Sequence, residues 1–191
     1  AILKTDIGPV IDTEAKQTID NHIQKMKSKG YPVHQLMFND AVSQQALAQG
    51  TFVPPTAIEL PNLDDLEREV FGPVLHIITY KYGELEQLID RINAKGYGLT
   101  MGLHTRIDET INTVIQRAEV GNLYINRNIV GAVVGVQPFG GEGLSGTGPK
   151  AGGPLYMYRL MEHCSEKVLA TPFAVKSEVS TFEAVSNVAY Q

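Results

Sequence analysis

The sequence predicts an α/β protein built on a parallel sheet, and three observations lead to that prediction. Residues 74–80 are mostly apolar on both faces, as in a strand buried in the centre of a sheet. Two amphipathic helical patterns follow, and strand, helix, strand, helix and strand alternate up to about residue 126. This rhythm is typical of parallel strands joined by right-handed crossovers.

The N-terminal part of the chain begins with a helix predicted over residues 13–29. Asp12 or Thr13 is expected to cap it, because short polar side chains accept hydrogen bonds from the first-turn amides. Gly30 is expected to end it. The predicted inward face carries Ile19, Ile23 and Met26.

Two strands are predicted between this helix and the alternating region, over residues 33–38 and residues 51–60. Pro54 and Pro55 lie within the second strand. Proline cannot donate a ladder hydrogen bond, so residues 51–60 are expected at a sheet edge or on an irregular path.

The alternating region contains helices predicted at residues 83–95 and from Asp108, its expected N-cap, to Gly121, its expected stop. Strands are predicted at residues 99–105 and 122–126. Apolar residues at helical spacing are Leu85, Leu88, Ile89 and Ile92 in the first helix and Ile111, Val114, Ile115 and Ala118 in the second. These stripes predict core positions, not a cofactor site.

The next region, residues 131–153, contains nine of the 18 glycines. Gly141, Gly143 and Gly146 match the spacing of a dinucleotide fingerprint, but the strand-to-helix context that such a site needs is missing. Two interpretations stay open: a cradle of backbone amides for a small carboxylate or phosphate, and a tight crossing where only glycine fits. A short helix over 154–161 and a strand over 162–169 are predicted beyond it.

Composition excludes several classes of function. A net charge of -5 without basic runs argues against nucleic-acid binding, and no apolar run reaches the roughly 18 residues of a membrane span. The N-terminus lacks the features of a signal peptide, and the single cysteine, Cys164, rules out an internal disulfide. A cytoplasmic protein is expected. The five histidines show no metal-ligand spacing.

Several motifs resemble the aldehyde dehydrogenase superfamily. They are the Glu-Val-Phe-Gly-Pro-Val segment at 69–74, the Tyr-Gly-Leu-Thr segment at 97–100, and Gln-Pro-Phe-Gly-Gly at 137–141 with Leu-Ser-Gly-Thr-Gly behind it. The resemblance covers nearly all of residues 5–165. It implies a parallel-sheet portion of the catalytic domain over 1–161, an oligomerisation strand over 162–170 and a tail over 171–191.

Residues 126–141 and 147–159 narrow the resemblance to L-glutamate-γ-semialdehyde (Δ1-pyrroline-5-carboxylate) dehydrogenases, and most closely to the dehydrogenase module of bifunctional proline utilization A proteins. The resemblance implies NAD as cofactor, glutamate semialdehyde as substrate and a homodimer. FAD is implied only if a proline dehydrogenase module lies upstream.

The resemblance also implies roles for individual residues. Glu69 would hold the nicotinamide ribose hydroxyls of NAD, and Phe71 would pack beside the nicotinamide. Gly131 and Ala132 would donate backbone N–H groups to the substrate α-carboxylate, and Phe139 would pack against the aliphatic part of the substrate.

The family mechanism needs a cysteine thiolate that attacks the aldehyde and a glutamate that activates the hydrolytic water. In the family the cysteine precedes the motif at 69–74, whereas Cys164 follows it. The chain is therefore expected to be the C-terminal part of the enzyme and inactive alone. A non-catalytic scaffold and a small anion- or nucleotide-binding protein are the alternatives. The intact motif and substrate loop favour the enzyme over the scaffold.

Overall fold

The computed structural model describes residues 7–146 and 148–160, and the chain divides into two compact units between Tyr82 and Gly83. Among the described residues, no helix has the length and apolar character needed to cross a membrane. The prediction of an α/β protein is confirmed in each unit, although the sheets are smaller and more mixed than expected.

The first unit packs helices around a three-stranded sheet. Its elements are α1 (Thr13–Ser28), β1 (Val33–Gln35), α2 (Ala41–Gln49), β2 (Thr56–Leu60), a 3-10 turn (Leu63–Asp65) and β3 (Val74–Ile78). The strand order is β1-β2-β3, with β1 antiparallel and β3 parallel to β2.

The predicted start, end and buried face of α1 are confirmed. Asp12 is the N-cap, and its Oδ1 accepts a hydrogen bond of 2.7 Å from the Ala15 amide. Gly30 has a φ of 79°, the left-handed conformation that ends many helices. The buried face, Ile19, Ile23 and Met26, packs into one core cluster with Val53, Ile58 and Leu60.

Replacement of Asp12 by alanine is expected to lower the free energy of unfolding by about 1 kcal/mol, because the Ala15 amide loses its acceptor. Urea unfolding of the chain followed by circular dichroism would measure the loss. Asp12→Asn keeps a capping oxygen and is expected to lie within a few tenths of a kcal/mol of the wild type. Equal stability of the Asp12→Ala and wild-type chains would contradict this account of the cap.

Of the two alternatives predicted for residues 51–60, the sheet edge is wrong, whereas an irregular path is observed for residues 51–55. β2 begins at Thr56, after both prolines, and is the central strand of its sheet. Neither proline therefore has to donate to the ladder, and the Pro55 carbonyl accepts from the Leu36 amide at 2.9 Å. Ile58, in the middle of β2, is 0% exposed.

The central position predicted for residues 74–80 is not found within the sheet of the first unit. β3 is an edge strand there, and its face with Val74, His76 and Ile78 points inward. Leu75 and Ile77 on the other face are 61% and 41% exposed. The apolar pattern is that of a strand covered on both faces, and the residues of the first unit cover only one.

Helix α2 has no counterpart among the predicted elements. Its side chains include no buried residue, and apolar residues are spread around it, so a helical stripe is missing from the sequence. The signal that remains is Asp40, whose Oδ1 accepts from the Ser43 amide at 2.8 Å as the N-cap.

The second unit contains short strands and two amphipathic helices. Its elements are α3 (Leu85–Asn93), β4 (Tyr97–Gly98), β5 (Thr100–Leu103), α4 (Asp108–Arg117), β6 (Asn122–Ile125), β7 (Glu142–Gly143) and a 3-10 turn (Met157–Leu160). β5 and β6 are parallel and are connected through α4, while β4 and β7 are antiparallel. Within this unit, the predicted parallel arrangement is confirmed for β5 and β6.

Both expected boundaries of the second predicted helix need correction. Ile107 is the N-cap of α4, and Asp108 is its first residue. The Ile107 amide instead donates to Thr105 Oγ1 at 3.2 Å. At the other end α4 stops at Arg117, before Gly121 is reached, because Ala118 is already extended.

Candidate functional site

Glu69 and Phe71 line the same cleft in the first unit, hereafter the Glu69 cleft, which has a volume of about 390 Å³. Its other walls come from the start of α1 and the residues before it. The lining residues are Ile11, Asp12, Glu14, Ala15, Thr18, Ile19, His22, Arg68, Glu69, Val70 and Phe71. The volume lies within the range of small-molecule sites, roughly 300–1,000 Å³.

Close packing at Gly72 brings these walls together. A Cβ at Gly72 would overlap Ile19 Cδ1, so glycine permits α1 to approach the segment that carries Glu69 and Phe71. The segment continues directly into the sheet, where the Thr56 amide donates to the Pro73 carbonyl at 2.9 Å. The core of the unit thereby positions both predicted cofactor-binding residues.

The chemistry of the Glu69 cleft suits a neutral, hydroxyl-bearing ligand. Glu69 offers a carboxylate that can accept two hydroxyl donors, and Phe71 presents a ring that is 80% exposed. Glu14 and Asp12 also line the cleft and add two negative charges, whereas Arg68 contributes one positive charge. The side chains that line the cleft therefore carry a net negative charge.

A histidine pair, defined as His22 and His76, joins α1 to β3 beside the Glu69 cleft. The two Nε2 atoms are 2.8 Å apart, and the rings meet edge to face with centroids separated by 5.0 Å. Burial lowers the pKa of both imidazoles, and Lys25 and Arg68 lower the pKa of His22 further. Sequence reasoning missed this pair because 54 residues separate its members.

The second predicted site lies in the second unit, on the loop that follows β6. Gly131 has a φ of 137°, and nothing lies within 4 Å of the position of a Cβ there. Within the described residues, neither the Gly131 amide nor the Ala132 amide donates to a protein acceptor. Two adjacent donors with no partner fit the expected role of binding a carboxylate.

Side-chain hydrogen bonds hold both ends of this loop. At the start, Asn126 adopts a φ of 54°, and its amide group pairs with the Thr105 backbone at 2.9 and 2.8 Å. At the end, Gln137 Nε2 donates to the Tyr124 hydroxyl at 2.9 Å. The Arg127 guanidinium lies 4.9 Å from the centroid of the same tyrosine ring.

Phe139 is held by a two-way backbone bridge to Ala151, with N···O distances of 3.0 and 2.9 Å. Asn122 at the start of β6 bonds to both neighbours of Phe139: its Nδ2 donates to the Pro138 carbonyl and its Oδ1 accepts from the Gly140 amide. Phe139 is half-buried as a result, with its position set by main-chain bonds.

Gly121, Gly141 and Gly146 permit close packing of the main chain. A Cβ at Gly121 would overlap the Gly140 carbonyl oxygen, and a Cβ at Gly141 or Gly146 would overlap main-chain atoms of this turn. Lys150 Nζ donates to the Gly121 carbonyl across the same crossing. Of the two interpretations of this region, the tight crossing therefore applies to residues 140–146, whereas the candidate anion donors lie earlier, at 131 and 132.

Among the residues that the structure describes, no three His, Cys, Asp or Glu side chains converge on a potential metal site. Cys164, the predicted strand at 162–169 and the tail at 171–191 lie outside the described residues. The five candidate binding residues are all described, with Glu69 and Phe71 in the first unit and Gly131, Ala132 and Phe139 in the second.

Close relatives of this chain are proteins of proline catabolism. Bifunctional protein PutA of Klebsiella aerogenes is 60% identical over 172 residues, which cover 90% of this chain and 13% of that protein. The 1-pyrroline-5-carboxylate dehydrogenase of Bacillus pumilus is 36% identical over 169 residues, or 87% of this chain and 30% of the relative. The chain thus spans less than a third of either relative.

Comparison with solved structures identifies the same relatives. A crystal structure of a Bradyrhizobium japonicum proline utilization A variant matches with a TM-score of 0.71 and 51% identity, over 80% of this chain and 15% of that one. A Thermus 1-pyrroline-5-carboxylate dehydrogenase with bound NAD matches with a TM-score of 0.60 and 33% identity, over 76% and 27%. The model of the aldehyde dehydrogenase family matches residues 3–165. The chain belongs to the aldehyde dehydrogenase family.

Proposed function

We propose that this chain supplies parts of the cofactor and substrate sites of an NAD-dependent L-glutamate-γ-semialdehyde dehydrogenase, within a bifunctional proline-catabolic protein. The observation that carries the proposal is the Glu69 cleft, where a carboxylate and an exposed aromatic ring line one cavity. The 60% identity to a bifunctional PutA supports the choice of substrate.

The Glu69 cleft fits the nicotinamide ribose half of NAD. Glu69 accepts hydrogen bonds from the two ribose hydroxyls, as acidic residues do in other dinucleotide sites. Phe71 offers its exposed ring to the nicotinamide. NAD, when bound, accepts the hydride of the oxidation.

The loop after β6 orients the substrate. The Gly131 and Ala132 amides bind the α-carboxylate of the semialdehyde, and Phe139 packs against its methylene groups. Anchors at both ends of the loop, from Asn126 and Gln137, keep the two amides in place before the substrate arrives. This preorganisation reduces the entropy that binding costs. Residues 162–170, as an oligomerisation strand, would pair two such subunits in a homodimer.

The experiment that tests the proposal compares two proteins: the 191-residue chain, and the same chain fused behind the upstream dehydrogenase residues of its Klebsiella relative. NADH formation from glutamate semialdehyde is expected only in the fusion, because the family's catalytic cysteine precedes the motif at 69–74.

Thiol alkylation is expected to abolish activity of the fusion, while Cys164→Ser is expected to leave it unchanged. NADH formation by the chain alone would overturn the proposal. A folded but inactive fusion would instead favour a non-catalytic scaffold.

A further inference from the structure

We propose that the histidine pair positions the two walls of the Glu69 cleft, and that its double protonation releases them and weakens NAD binding in acid. This inference rests on the proposed function of the cleft. It assigns positioning roles to His22 and His76, neither of which has to touch the cofactor.

The pair connects the structural elements that form the cleft. His22 lies on α1 and itself lines the cavity, while His76 lies on β3, five residues after Phe71. Their Nε2···Nε2 hydrogen bond of 2.8 Å links α1 to the strand that continues from the Glu69 segment. Contact of Ile19 with Gly72 is apolar and does not depend on pH. The Lys25–Glu67 ion pair also joins these walls, but Lys25 lowers the pKa of Glu67, so the pair stays charged in mild acid and the histidine bond is the link that responds there.

Protonation acts on this bond in two steps. In the neutral pair one Nε2 donates its hydrogen and the other accepts it. A first proton can bind Nδ1 of the donor ring, which leaves the bond in place. A second proton must take the lone pair of the accepting Nε2, and two N–H groups then face each other across 2.8 Å. The bond is lost, and two cations repel one another.

The surroundings favour the neutral pair at neutral pH. Lys25 on α1, Lys29 directly after α1 and Arg68 on the opposite wall oppose a charge on His22, and Glu67 favours it. Glu67 is itself bound to Lys25 at 2.9 Å.

The strand beside His76 offers no compensating carboxylate. The register of β2 places the apolar Ile58 beside His76, while the neighbouring Glu59 is exposed and binds His34 at 2.8 Å. The pKa of each member is lowered, mainly by burial. The unfolded chain therefore binds more protons than the folded one below about pH 6.5, and the free energy of unfolding falls as pH drops below that value.

The first test measures steady-state kinetics of the active fusion between pH 5 and pH 8. For the wild type, the KM for NAD is expected to rise roughly five-fold or more towards pH 5, with a smaller change in kcat. His22→Gln can keep a hydrogen bond to His76 but cannot become a cation, so this rise is expected to disappear. His34→Gln, which changes an exposed histidine away from the cleft, is expected to retain the wild-type profile.

A second test separates positioning from general stability. His22→Ala and His76→Ala break the same bond, so the increase in KM for NAD in the double variant is expected to equal that of either single variant. Additive increases, or a His22→Gln profile identical to that of the wild type, would overturn the inference. If an alanine variant fails to fold, the pH dependence of the KM for NAD in His22→Gln still tests the inference.

The proposed function and this inference can fail separately. An unchanged KM for NAD in the Glu69→Ala variant would contradict the proposal that the Glu69 cleft binds the cofactor. If Glu69→Ala raises the KM for NAD but the histidine variants do not change it, only the proposed role of the histidine pair is contradicted. NMR titration of the 191-residue chain adds a readout independent of activity: His22 and His76 are expected to titrate as a coupled pair, below the pKa of exposed histidine.

Discussion

Replacing Glu69 with alanine is expected to raise the KM for NAD of the active fusion by about 10- to 100-fold. The carboxylate accepts two ribose hydroxyls, and a hydrogen bond to a charged group contributes about 1.5–3 kcal/mol. Each 1.4 kcal/mol corresponds to a tenfold change in affinity. Initial rates at varied NAD concentration, together with direct titration of NAD, would measure the effect.

Glu59→Ala is the matched control for Glu69→Ala. Glu59 is another exposed glutamate of the first unit, but it lies on β2 and pairs with His34, away from the Glu69 cleft. We expect its KM for NAD to stay within two-fold of the wild type, since surface ion pairs contribute about 0–1 kcal/mol. Equal effects of the two substitutions would show that charge in general, and not the cleft, affects NAD binding.

Gly121→Ala is expected to disturb the substrate site more than any other glycine-to-alanine substitution in the second unit. The new Cβ would overlap the Gly140 carbonyl oxygen, a main-chain atom that cannot move without its segment. Phe139 precedes Gly140, so the wall of the substrate site moves with it. Overpacking of this kind costs about 1–3 kcal/mol. We expect a lower melting temperature and at least a tenfold higher KM for the semialdehyde.

Gly8→Ala provides the control for Gly121→Ala, because nothing lies within 4 Å of its Cβ position and its φ is not positive. We expect that variant to match the wild type in melting temperature and in the KM for the semialdehyde. A Gly121→Ala enzyme with unchanged substrate affinity would mean that Phe139 does not wall the substrate, even if stability falls.

The comparison with known proteins confirms the family that the motifs at 69–74 and 137–141 predicted. Such motifs are readable from sequence because each is a short contiguous run whose main-chain turns demand particular residues. The individual roles of Glu69, Phe71, Gly131, Ala132 and Phe139 stay predictions until the substitutions are made. So do the cytoplasmic location and the FAD of an upstream module.

Prediction succeeded for the existence of α1, α3 and α4, whose signals are local along the chain. Helix α1 was readable because Asp12 caps it, Gly30 ends it, and its buried residues recur at helical spacing. The stripes of α3 and α4 were readable for the same reason, and Ile89 and Val114 are buried as predicted. The core position predicted for Ile115 is wrong, because its side chain is 47% exposed. Hydrogen bonds within a helix join residues four apart, so the sequence carries their signal directly.

Prediction failed where the answer depends on which distant segments meet. The sequence by itself determined the family, the helices and the short motifs that name the candidate sites. Only the tertiary structure decided that β2 is central, that His22 meets His76, and that Gly121 lies against Gly140. Strand neighbours and side-chain pairs across 54 residues are set by packing of the whole unit, for which no local periodicity exists.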